Sequence, residues 1–289
     1  MTRPTRRTFL VGCGSTLAAA AGTGLYAWRW EPHWLEFVPH RLPVRSLPAS
    51  LAGKTLMQIS DVHVGTRVDD DYVRDVFRRA SALAPDIVAF TGDFISYHAD
   101  VYSQAAGLYR DFPRGRLATI AVLGNHDYGP GWSHPEIAER VIRIVADAGV
   151  TVLRNETVVI DGLHIAGLDD WWARRFDARS VLAKLSPEIP ALVLSHNPDT
   201  ADQPVWSGFH GWILSGHTHG GQCKPPFLPP PVLPVQNTRY TAGEFDLSGG
   251  RRMYINRGVG HLWRVRFNVR PEITLHDLQP DTRADGTNA

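Results

Sequence analysis

The sequence predicts an α/β fold, and two observations carry that prediction. Short continuous apolar runs alternate with segments of helical periodicity along most of the chain, as in a sheet covered by helices. Five of those runs end in a tight turn bearing Asp, Asn or His, and sites in open α/β sheets form at the carboxyl ends of strands. The 289 residues are 43% hydrophobic and 20% charged, which excludes a disordered, collagen-like or multi-span membrane chain. A formal charge of +1 gives no global field for nucleic acid, so none is expected as a partner. Cys13 and Cys223 cannot build a disulfide framework.

Residues 1–30 read as a targeting segment rather than fold. Arg3, Arg6 and Arg7 precede the uncharged run Thr8–Trp28, and Arg29 closes it. Thr5-Arg6-Arg7-Thr8-Phe9-Leu10 is similar to the twin-arginine signal, which implies the twin-arginine export machinery as a partner. The run would extend ~32 Å as a helix, enough to serve as a membrane anchor, while Ala19-Ala20-Ala21 fits a cleavage site. Either way the folded part is expected outside the cytoplasmic membrane, at its outer face or in the periplasm or cell wall.

Residues 31–279 form the expected domain. Trp34–Val44, interrupted by prolines, reads as an edge strand. Lys54–Ser60 is a short apolar strand, followed at once by Asp61-Val62-His63. Asp70–Leu83 has helical spacing, with Val73, Phe77 and Ala80 on one face. Asp86–Phe90 and Leu117–Leu123 are uniformly apolar, as strands buried on both faces are. They end in Thr91-Gly92-Asp93 and Gly124-Asn125-His126-Asp127. A helix is expected from Ser133 and Glu136 as a capping box, Pro135 in the first turn, and Ile137, Val141, Ile144, Val145 and Ala148 as its apolar face. Asp161-Gly162 marks a hairpin between Glu156–Ile160 and Leu163–Gly167. Ala191–Leu194 and Trp212–Leu214 are strands that run into Ser195-His196 and Gly216-His217-Thr218-His219. Pro225–Pro234 is a proline-rich loop expected to be ordered. Met253–Ile255, Val265–Phe267 and Glu272–Leu278 read as closing strands, and 280–289 as a flexible tail.

Asp61, His63, Asp93, Asn125, His196, His217 and His219 form a set of oxygen and imidazole donors with little sulfur. Such a set suits Mn²⁺, Fe or Zn²⁺ rather than an iron–sulfur or structural zinc site. Asp61-x-His63, Gly92-Asp93, Gly124-Asn125-His126-Asp127, His196 and Gly216-His217-x-His219 occur in an order that resembles the calcineurin-like metallophosphoesterases. The resemblance covers about Lys54 to Asp277. Together with the twin-arginine start and the closing RPEITLHDL it looks like the exported YaeI/YkuE-type branch. It implies a four-layer α/β/β/α sandwich of two mixed sheets flanked by helices.

The resemblance also implies roles. Asp61, His63 and His219 would hold one divalent metal and Asn125, His196 and His217 a second, with Asp93 bridging them through its two oxygens. Mn²⁺ is the leading candidate, with Fe or Zn²⁺ as alternatives. A hydroxide bridging two such ions would attack a phosphodiester or pyrophosphate bond of an envelope lipid or cell-wall substrate. His126 would protonate the leaving group, with Asp127 orienting it. Gly216, Thr218, Gly220 and Gly221 are small enough for close approach to metals and phosphate. For substrate contacts the sequence offers Trp171, Trp172, Arg174 and Arg175, with Tyr97, His98 and Tyr128 as residues that could line the mouth. The proline-rich loop, with Phe227 and Leu228, reads as a lid, a membrane-facing rim or packed filler. Membrane association is expected. A phosphomonoesterase of the same mechanism and a non-catalytic metal- or wall-binding protein are the competing readings.

Overall fold

The computed structural model describes residues 6–186 and 188–281. Arg3 and 282–289 lie outside them, as do the side chains of Arg7 and Cys13. Two six-stranded mixed sheets pack face to face. The first runs in the order β1 (Glu36–Val44), β12 (Glu272–Pro280), β2 (Thr55–Ile59), β3 (Ile87–Thr91), β4 (Ala118–Val122), β5 (Thr151–Val152). The second runs β10 (Gly243–Asp246), β11 (Arg252–Ile255), β9 (Trp212–Ser215), β8 (Ala191–Leu194), β7 (Leu163–Gly167), β6 (Glu156–Ile160). Within each sheet a central parallel block is flanked by antiparallel pairing: β2–β5 with β12, and β7, β8, β9 and β11 with β6 and β10.

Uniformly apolar strands dictate this arrangement, because each must be covered on both faces. Leu56, Ile87 and Ile120 meet Ile165, Leu192 and Leu214 between the sheets. On the outside of the first sheet, Met57, Val88 and Phe90 pack under α2 (Asp70–Ser81), α3 (Val101–Tyr109) and α4 (Pro135–Asp147). Val193 and Ile213 on the outside of the second sheet pack with Val181 of α5 (Ala178–Leu182). The result is the expected four layers.

Several expectations need correction. The Ser133–Glu136 capping box does not form: His134 holds the N-cap position of α4, and its ring hydrogen-bonds Glu136 at 2.8 Å instead. Val265–Phe267 is not a strand, only a bridge between Cys223 and Phe267, because the segment bends to bury Arg266. The tail begins later than expected. Pro280 ends β12, and Asp281 donates its N–H to Val44 O at 3.0 Å and pairs with Arg252 at 2.9 Å. Helix α3 carries no strong apolar stripe and had no clear signal in the sequence. The amino-terminal run is a helix, α1 (Arg6–Arg29), yet among the described residues no helix is long and apolar enough to cross a membrane. The glycines at 12, 14, 22 and 24 dilute it. The Asp161-Gly162 hairpin forms as its residues require, with φ of 47° and 88°.

Candidate metal centre

The carboxyl ends of β2, β3, β4, β8 and β9 meet at one edge of the sandwich. The chain turns sharply at each end, and the turns are unusual. Asp61, His63, Asp93, His217 and His219 have φ between 50° and 70°, a left-handed conformation that costs a residue with a Cβ roughly 1–2 kcal/mol. Such conformations persist where packing over-determines them. Here Gly216 permits it: a Cβ there would lie 1.9 Å from Ser60 Oγ and 2.4 Å from Asp61 Oδ2.

Two buried donor sets result, Asp61–His63–His219 and Asp93–His196–His217. His63 Nε2 lies 3.0 Å from His219 Nε2 and 3.8 Å from Asp61 Oδ1, which is 3.3 Å from His219 Nε2. In the second set His196 Nε2 lies 3.2 Å from His217 Nδ1 and 3.2 Å from Asp93 Oδ2. Donors about 2.0–2.2 Å from one ion stand about this far apart. Asp93 lies between the sets, but through one oxygen. Oδ2 is also 3.5 Å from His63 Nε2, whereas Oδ1 accepts the His126 N–H at 2.9 Å.

Hydrogen bonds from the surrounding shell set the tautomers. His196 Nδ1 donates to Thr91 O at 2.7 Å, leaving Nε2 as the ligand atom. His217 Nε2 donates to Pro234 O at 2.7 Å, leaving Nδ1. The proline-rich loop therefore reaches the centre: Pro234 braces a ligand and Pro230 packs on Gly221, while Phe227 and Leu228 stand exposed. Ser96 Oγ is 3.1 Å from His63 Nδ1, and the buried Arg266 lies 3.4 Å from His219 Nδ1 while donating to the carbonyls of Arg257, Gly258 and Gly260.

The donor chemistry fits divalent cations. Asn125 is buried with neither amide atom partnered, as an amide oxygen reserved for a cation would be. Burial holds His63 and His219 well below the usual imidazole range and His217 down to about 3, so these rings are neutral and ready to ligate. Burial pushes Asp61 up to about 7 against the pull of His196. At His196 burial opposes the charge, but the Asp93 carboxylate outweighs it and raises the ring to about 10.

Other sequence-predicted residues divide. His126 is half-buried, edge-on to His63 at 4.9 Å. It lines a cleft of about 330 Å³ with Arg67, Tyr97, Trp132 and Leu262. Asp127 does not orient it. The Asp127 carboxylate accepts four backbone N–H groups, from Asp93, Phe94, Ile95 and Gly124 at 2.8–3.2 Å, and so clamps the Asp93 turn to the Asn125 turn. Tyr128 is not at the mouth either; it is buried and donates to Asp169 at 2.5 Å. His98 bonds Gln104 instead. Trp172 stands edge-on to His217 at 4.4 Å and packs on Trp132 at 4.5 Å. Trp132 and Trp172, with Trp171, Arg174 and Phe176, line a second cleft of about 860 Å³. Arg175 is exposed and outside it.

Asp170 went unread in the sequence, although the strand-end rule applies to β7 as it does to the other five. It is buried, its Oδ2 has no partner, and burial raises its carboxyl to about 7 beside His196. Arg266 gave no signal, because its role depends on contacts among distant turns.

Residues 54–221 match the family model described as calcineurin-like phosphoesterase. The chain is 32% identical over 284 residues to phosphodiesterase YaeI of Escherichia coli (strain K12), covering 94% of this chain and 98% of that one. It is 33% identical over 298 residues to the metallophosphoesterase YkuE of Bacillus subtilis (strain 168), covering 96% and 99%. It is 28% identical over 322 residues to UDP-2,3-diacylglucosamine pyrophosphatase LpxG of Chlamydia muridarum, covering 92% and 97%.

Proposed function

The chain belongs to the calcineurin-like phosphoesterase family and is a metallophosphoesterase, and from that premise we propose that it hydrolyses a phosphodiester or pyrophosphate bond in an envelope lipid or cell-wall substrate. One observation carries the reading: two buried His/Asp donor sets share Asp93 Oδ2 at a single strand-end edge. Asp61, His63 and His219 would hold one divalent cation and Asn125, His196 and His217 the other, with Mn²⁺ the leading candidate and Fe or Zn²⁺ the alternatives. Bound there, the pair supplies Lewis acidity and an activated water. Asn125, a neutral amide, keeps the pocket less anionic, so that a phosphate can enter. His126 faces the cleft and gives its proton to the leaving oxygen as the P–O bond to that oxygen breaks. Trp172 and Trp132 wall the adjoining cleft with apolar surface, which suits the non-phosphoryl part of a lipid-linked substrate. The names of two relatives, a phosphodiesterase and a lipid-precursor pyrophosphatase, support that substrate class. The Arg6-Arg7 start supports export by the twin-arginine route.

The test is hydrolysis by the full chain of bis(p-nitrophenyl) phosphate and p-nitrophenyl phosphate with Mn²⁺, Zn²⁺, Mg²⁺ or chelator, and Asp93→Ala as blank. Metal-dependent turnover of the diester above the monoester is expected. A monoester preference would replace the substrate class, and no turnover by metal-loaded protein on these esters or on a lipid pyrophosphate would leave a metal-binding protein.

A further inference from the structure

The carboxyl end of α1 is fastened to the body along residues 261–270. Arg266 N donates to Ala27 O at 2.9 Å, and Val269 N to the Glu31 carboxylate at 2.6 Å. His33 stands edge-on to Tyr72 at 5.1 Å and His261 at 6.4 Å. Four of the nine tryptophans flank this seam: Trp28, Trp30, Trp34 and Trp263, exposed by 51, 55, 50 and 60%. Trp206 and Trp212, by contrast, are 5 and 2% exposed. Arg264 lies over Trp28 at 5.8 Å and Arg270 over Trp34 at 3.6 Å. Arg270 is paired with Glu36, whereas Arg29 and Arg264 have no carboxylate within ion-pair reach among the described residues.

Four half-exposed indoles on one seam are costly in water, and among the described residues nothing covers them. Their setting is aromatic and cationic, not an apolar groove. Indole rings favour the headgroup level of a bilayer, where the ring leaves water and the N–H stays wet. Unpaired guanidinium groups beside them match lipid phosphates. Because the net charge is only +1, that attraction is local to the seam. The seam also continues into the site: Leu262, next to Trp263, lines the cleft that holds His126 and the exposed Tyr97.

We propose that Trp28, Trp30, Trp34 and Trp263, with Arg29 and Arg264, form a docking collar for an anionic lipid bilayer, which sets the mouth of the metal centre at the membrane surface. The collar acts without any spanning helix and does not depend on which phosphoester is cleaved.

The experiment is flotation of the full chain with vesicles of phosphatidylglycerol and phosphatidylcholine in equal parts, or of phosphatidylcholine alone, together with tryptophan emission. The chain should float with the anionic vesicles, with a blue-shifted emission quenched by brominated lipid. W28S/W30S/W34S/W263S should lose that shift and partition on the order of tenfold less. R29S/R264S keeps all four indoles, covers the case in which the fourfold variant fails to fold, and should lose about tenfold on anionic vesicles only. Turnover of bis(p-nitrophenyl) phosphate should be unchanged in both variants, so failure here is separable from failure of the proposed hydrolysis. The proposal is overturned if the full chain stays in solution, or if both variants float as wild type does, since α1 alone would then suffice. It is equally overturned if light scattering finds a dimer that the fourfold variant abolishes, since a second chain would then cover the collar.

Discussion

Gly92→Ala probes how the centre is held together. Gly92 joins β3 to Asp93 with φ of +97°, which L residues with a Cβ rarely adopt. A Cβ there would lie 2.5 Å from His196 Nδ1 and 2.8 Å from both His196 Cγ and Gly124 N. The ring must retreat by roughly 1 Å, which opens its 2.7 Å bond to Thr91 O. Overpacking costs about 1–3 kcal/mol, and the backbone strain adds about 1–2 kcal/mol. At about 2–4 °C per kcal/mol for a domain near this size, the metal-free melting midpoint should fall by about 4–20 °C. Losing the bond that orients a ligand should weaken metal binding at the His196 set by about 10–100-fold. Gly107→Ala is the internal control. Gly107 lies inside α3 with open space around it, and alanine there should stabilise by about 0.5–1 kcal/mol. Differential scanning calorimetry with metal titration reads both quantities. A Gly92→Ala protein that melts within about 2 °C of wild type and binds metal equally well would refute the claim that this turn is packed against His196.

Two further predictions follow from the same geometry. His126→Gln should keep its full metal content while turnover of an alkyl-leaving-group diester falls about 10²–10⁴-fold, and that of a p-nitrophenyl diester much less, since nitrophenolate needs little protonation. Metal analysis decides between this role and a ligand role for His126, whose ring lies close enough to His63 and Asp93 to share an ion; loss of metal would establish the latter. Metal affinity should rise with pH. With its range raised to about 10, His196 carries a proton that the cation must displace, so binding at that set should strengthen on the order of tenfold per pH unit from 7 to 9. Asp61, raised to about 7, adds a second proton below that pH at the other set. Competition with a chromogenic chelator at pH 6.5, 7.5 and 8.5 measures the slope, and an affinity independent of pH would contradict the charge states assigned to the metal-free centre.

The central strands and the ligand-bearing turns were legible because both depend on local pattern. An apolar run such as Asp86–Phe90 has few alternatives to a doubly covered strand, and Gly92-Asp93 or Gly124-Asn125 punctuates it at once. Less was legible where one residue type serves two purposes. Asp127 sits beside His126 in sequence, and adjacency suggested a shared proton; in three dimensions four backbone amides claim its carboxylate. Tyr128 follows a ligand block, but the chain turns it inward onto Asp169.

By itself, then, the sequence determined the alternation of strands and helices, the neutral overall field and the seven candidate ligands, since each rests on residue type and short spacing. Only the tertiary structure decided that Asp93 faces both donor sets through one oxygen, that Thr91 and Pro234 carbonyls choose which imidazole nitrogens face inward, and that Arg266 and Asp170 belong beside the centre. It alone gathered Trp28, Trp30, Trp34 and Trp263 onto one seam. The physical reason is that these relations join segments from 17 to more than 200 residues apart. Hydrogen bonding and burial depend on distances in space, and no periodicity along the chain encodes them.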